Sequence, residues 1–60
     1  MADLVAAISQ LKEDQRDVVY LFYGEELSVE EIGTALAVPA GTVKSRLHHA
    51  RESLKTYLGE

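Results

Sequence analysis

A single proline, Pro39, stands between two stretches of helical periodicity, and it restricts the fold more than any other residue in the chain. The residue before a proline is biased away from helix, so the upstream segment must stop short of it. Proline also lacks an N–H and has a φ suited to the first turn of a helix, so a new helix is expected to start there and run to about Leu58. Only a few residues, around Ala37 and Val38, are left for the turn. Two helices joined so tightly cannot lie antiparallel and must cross steeply, which predicts a helix-turn-helix over about 28–58.

The upstream helix has the clearest start in the sequence. Ser28 followed by Glu31 forms a capping box, in which each side chain satisfies a free backbone N–H of the first turn, and Leu27 with Ile32 makes a hydrophobic staple. Counted from Val29, apolar residues fall at positions 4 (Ile32), 8 (Leu36), 10 (Val38) and 15 (Val43), with the small Gly33 at position 5, where the two helices touch. The inward stripe of the last helix is Val43, Leu47, Ala50, Leu54 and Leu58, with Tyr57 beside it. Any helical hairpin with a proline in its loop would share part of this pattern.

Two further helices precede this pair. Leu4, Ala7, Ile8 and Leu11 form one stripe on a short helix that Asp3 is placed to cap. After Lys12, the residues Val18, Val19, Leu21 and Phe22 make a broad apolar arc, and Gly24 is positioned to end it in a left-handed turn. No stretch alternates long enough to read as a strand. The expected fold is all-α, a four-helix domain with a C-terminal helix-turn-helix and no wing, occupying residues 1–60 as a single unit.

Size excludes much of biochemistry. A chain of 60 residues, 47% hydrophobic, supports one small core and leaves little room for a buried catalytic cavity, so an enzyme is not expected. The absence of cysteine removes disulfides and thiolate metal sites and permits a cytoplasmic location. The apolar runs fall well short of the ~20 residues of a membrane helix, and no export signal is visible. No cofactor is implied.

Charge is divided unevenly. Residues 1–38 hold eight acids against two bases, for −6, whereas residues 39–60 carry +2. Between 39 and 51 stand Lys44, Arg46, Arg51, His48 and His49 without an acid, the footprint of a nucleic-acid surface or of a solvated basic helix face. At 100° per residue from Val43, Lys44, His48, Gly41 and Ser45 fall at about 100°, 140°, 160° and 200°, opposite the core. They occupy the first three turns, the part of a recognition helix that enters the major groove. Lys44 suits guanine O6 or N7, Ser45 and His48 suit base edges or nearby phosphates, and Gly41 keeps the approach open. Arg46 and Arg51 flank this arc and suit phosphates, or pairing with the acidic helices behind them. Glu52 shares the arc later, where the helix leaves the groove.

Other readings of these residues are weaker. Neighbouring histidines point about 100° apart and have no third ligand at helical spacing, so His48 and His49 do not make a metal site. Glu30 and Glu31 are accounted for by capping and the helix dipole, and neither they nor Glu25 and Glu26 accompany a nucleophile. Tyr20, Tyr23 and Tyr57 are not interleaved with the basic cluster and read as core-edge residues.

The string SVEEIGTALAVPAGTVKSRLHHARESL, from Ser28 to Leu54, resembles region 4 of bacterial RNA polymerase sigma factors, most closely the extracytoplasmic-function (ECF) group. The resemblance extends back through LKEDQRDVVYLFYGEELS, and GTVKSRLHHAR, from Gly41 to Arg51, is its most diagnostic run. It implies a four-helix domain that reads the minus-35 element of double-stranded promoter DNA with its last helix. It further implies docking on the beta flap of the RNA polymerase core, with an anti-sigma factor as another candidate partner. The family's base contacts fall on Lys44, Ser45 and His48, and its backbone contacts around Arg46, His49 and Arg51; Gly41 and Thr42 complete the candidate DNA-binding set.

Three positions depart from the family pattern. Ala37 stands where glycine is frequent in a left-handed turn, at a cost of ~1 kcal/mol; Lys12 replaces a frequent proline and His49 a frequent arginine. No counterpart of region 2, the promoter-melting part, is found, so the expectation is an excised domain that does not start transcription alone. Two competing readings are a sigma-like domain that binds an anti-sigma factor without DNA, and the output domain of a two-component regulator. The first is weakened by retention of Lys44, Arg46 and Arg51, and the second by the long helix that continues through SRLHHAR.

Overall fold

A computed structural model describes residues 2–59, with side chains from Leu4 to Gly59. Four α-helices follow in order: α1 (Ala2–Ser9), α2 (Glu13–Val19, continued by a π-helical turn over Tyr20–Gly24), α3 (Val29–Leu36) and α4 (Ala40–Tyr57). Among the described residues there is no strand. The longest helix, α4, packs against α1, α2 and α3. Its residues Val43, Leu47 and Ala50 are buried with Leu11, Val18, Val19 and Ile32 in one cluster, closed at its edge by Ile8, Leu21, Phe22, Leu27, Val29, Leu36, Val38 and Leu54. The binary pattern thus converts directly into a core, at roughly 1.5–3 kcal/mol for each large aliphatic side chain fully withdrawn from water.

The start of α3 forms as its sequence dictates. Ser28 Oγ accepts from the Glu31 N–H at 3.1 Å, and Glu31 Oε1 accepts from the Ser28 N–H at 2.8 Å. Both members of the staple join the same core, Ile32 fully buried and Leu27 at its edge. The helix ends at Ala37, whose φ of 60° and ψ of 44° are left-handed, and the Ala37 and Val38 N–H groups return to carbonyls of the last turn. Pro39 is extended at φ −63°, ψ 149° and is the N-cap of α4, so the helix starts at Ala40, one residue later than expected.

The capping expected of Asp3 rests on a side chain outside the described ones. Three expectations are corrected. Gly24 is not the left-handed residue after α2; Glu26 is, with φ 60°. The reason is the widened turn, in which the Glu25 N–H reaches the Tyr20 carbonyl and the Leu27 N–H reaches that of Leu21, carrying the helical register past Gly24 before the chain reverses. Leu58 is not part of the inward stripe but is 39% exposed, and Tyr57 beside it is 51% exposed, because the last turn of α4 runs past the packed body. Leu4 is likewise half exposed.

Candidate nucleic-acid interface

The candidate interface is the face of α4 that the core leaves free. Burial of Val43, Leu47 and Ala50 fixes the rotation of the helix, and the same rotation sends Lys44, Ser45 and His48 to solvent. Gly41 is exposed one turn earlier, and a Cβ there would meet nothing within 4 Å. Among the described residues no ion pair or side-chain hydrogen bond engages Lys44, Ser45 or His48. Thr42 is half-buried beside this face, and His49 is exposed, its ring centroid 5.6 Å from that of His48. The Thr42 and Val43 N–H groups both turn back to the Pro39 carbonyl, so those of Ala40 and Gly41 lie outside the helical ladder.

The two flanking arginines are held on the body of the domain. Arg46 Nε lies 3.7 Å from Asp14 Oδ2, an ion pair between α4 and the first turn of α2. Arg51 Nε donates to the Tyr23 phenol oxygen at 2.9 Å. The Arg51 guanidinium carbon is 6.0 Å from the Tyr23 ring centroid, at the outer limit for a cation–π contact, so the hydrogen bond is the governing interaction.

The basic segment, acid-free in sequence, therefore has an acid beside it in space, Asp14. Pairing with the acidic helices is one of the two roles open to Arg46 in the sequence, but which acid serves carries no local signal, since 32 residues separate the pair. Tyr23, a core-edge residue by sequence, is also an arginine partner. Among the described residues no group of three or more His, Asp or Glu side chains is arranged to hold a metal ion. No described helix is long and apolar enough to cross a membrane.

The arrangement offers a row of exposed hydrogen-bonding side chains on a rigid helix, bracketed by anchored cations. Sequence comparison matches residues 1–54 to the family described as "Sigma-70, region 4". The chain is similar to the ECF RNA polymerase sigma factor SigE of Mycolicibacterium smegmatis, 48% identical over 98% of the chain and 23% of that protein. It is also similar to the ECF sigma factor SigW of Bacillus subtilis, 47% identical over 85% of the chain and 27% of that protein. A third relative, the ECF sigma factor SigL of Mycobacterium tuberculosis, is 41% identical over 90% of the chain and 30% of its own length. The chain spans about a quarter of the length of these relatives.

Proposed function

The chain belongs to the sigma-70 region 4 family, ECF type, and on that premise we propose that it is a non-enzymatic DNA-binding domain that reads the minus-35 promoter element and contacts RNA polymerase in transcription initiation. The observation that carries this reading is the exposed row of Lys44, Ser45 and His48 on the face of α4 opposite its buried stripe, unpaired among the described residues. These three residues meet base edges in the major groove. Gly41 and Thr42, at the helix start, let the duplex approach, and Arg46, His49 and Arg51 meet the phosphate backbone. The whole of residues 1–60 acts as one such unit.

On the polymerase side, the partner surface is the beta flap, met by exposed apolar groups of the first helices: Leu4, Val5 and Tyr20 are 50%, 71% and 54% exposed. The same apolar surface, with the −6 charge of residues 1–38, favours a second reading in which an anti-sigma factor binds the domain without DNA.

The deciding experiment is selection of random duplexes by this domain tethered to the polymerase beta flap, at two salt concentrations. Enrichment of one short motif, lost with Lys44→Ala, is the expected result. A folded, flap-bound domain that enriches nothing would transfer the assignment to the anti-sigma-binding reading.

A further inference from the structure

We propose that Tyr23 is a positioning residue for DNA binding: its phenol oxygen fixes the Arg51 guanidinium so that the two outer nitrogens are presented to a backbone phosphate. This rests on the reading of α4 as the DNA-facing helix and adds to it a residue outside the helix-turn-helix.

The hydrogen bond uses only Nε of Arg51, at 2.9 Å. Among the described residues none engages either terminal nitrogen, so their four N–H donors suit the bidentate geometry of a phosphate. A free arginine loses rotamer freedom when it grips a ligand, and a partner that holds it beforehand removes much of that cost.

Tyr23 is itself held. Its ring meets that of Phe22 edge-on, with centroids 4.9 Å apart and planes at 86°, and it lines an apolar cleft of about 320 Å³ with Leu4, Ile8, Val19 and Leu54. Its backbone belongs to the π-helical turn Tyr20–Gly24, a rare conformation that occurs often at functional sites. Both Tyr23 and Arg51 are exposed, Tyr23 at 56%, so a hydrogen bond between them adds little to folding. What it does is join a cation next to the candidate interface to a ring packed at the domain's core edge.

The test is Tyr23→Phe, which keeps the ring and removes the hydroxyl, measured against labelled duplexes of two unrelated sequences over a range of salt. Binding should weaken about three- to tenfold on both duplexes, with the slope of log K against log salt moving toward that of Arg51→Ala. In an Arg51→Ala background, Tyr23→Phe should change nothing further. Without DNA, the Arg51 Nε–H resonance should be protected from solvent exchange in the parent and lose that protection in Tyr23→Phe, while the unfolding midpoint stays put.

Equal losses from Tyr23→Phe with and without the arginine, or no loss although Arg51→Ala weakens binding, would overturn the positioning role and leave the DNA reading standing. Unchanged binding in Arg51→Ala itself would remove both the phosphate contact and the inference built on it.

Discussion

The N–H of Val38 donates to the carbonyl of Gly33 at 2.9 Å, and the carbonyl oxygen of Val38 stands 2.7 Å from the point where a Cβ on residue 33 would lie. The obstacle is backbone, not the end of a flexible side chain, so it yields only if the turn between α3 and α4 opens. Gly33→Ala is therefore expected to destabilise the domain by about 2 kcal/mol or more, although alanine is the better helix former. Urea unfolding checks this: a midpoint equal to or above the parent's would mean the turn gives way more easily than its hydrogen bonding indicates.

Ala37 and Glu26 both sit at φ 60° without being glycine. A side chain in this region brings Cβ close to the following carbonyl oxygen, at a cost of about 1 kcal/mol per residue. Ala37→Gly and Glu26→Gly should each stabilise the domain by about that amount, raising the melting midpoint by about 4–8 °C in a chain of this size. A lowered midpoint for Ala37→Gly would show that glycine's greater freedom in the unfolded chain outweighs the relief of strain.

How far the fold is legible in the sequence follows from the range of the forces involved. Ser28, Glu31, Pro39 and the stripe Val43, Leu47 and Ala50 act within one or two turns, so capping rules and periodicity recover α3, α4 and the turn between them, whereas the left-handed Ala37 is legible only through the resemblance to the family. The same periodicity turns Lys44, Ser45 and His48 outward. The π-helical turn at Tyr20–Gly24 depends on how Leu21, Phe22 and Leu27 fit a core assembled from other helices, and nothing in the local pattern marks it. The exposure of Leu58 also depends on tertiary context, because a stripe continues in sequence after there is nothing left for it to pack against. The partners Asp14 and Tyr23 come from segments 32 and 28 residues away from the arginines they meet.

Lys44 and Arg51 should fail differently. Lys44 is exposed in the middle of the outward face, where a cation discriminates among base edges at roughly 1–3 kcal/mol per well-made contact. Lys44→Ala is expected to narrow the gap between the selected motif and scrambled duplexes. Arg51→Ala should instead lower binding to all duplexes and reduce the salt slope by about 0.9 for one lost phosphate contact. Competition titrations with both duplex types separate the two, and equal effects of both variants on both duplexes would count against these roles.

Asp14 places a carboxylate 3.7 Å from Arg46, beside the surface proposed to meet a polyanion. With side chains 29% and 53% exposed, the pair contributes little to folding, about 0–1 kcal/mol. Its larger effect falls on the duplex, because Asp14 competes with phosphate for Arg46 and repels the backbone directly. Asp14→Asn is expected to tighten DNA binding severalfold at low salt, by an amount that shrinks as salt screens exposed charges. In an Arg46→Ala background the gain should fall to the part owed to direct repulsion. Fluorescence anisotropy on the parent, the two single variants and the double variant measures both parts. Weaker binding in Asp14→Asn would instead show that the carboxylate orients Arg46 toward the phosphate, the same role proposed for Tyr23 at Arg51.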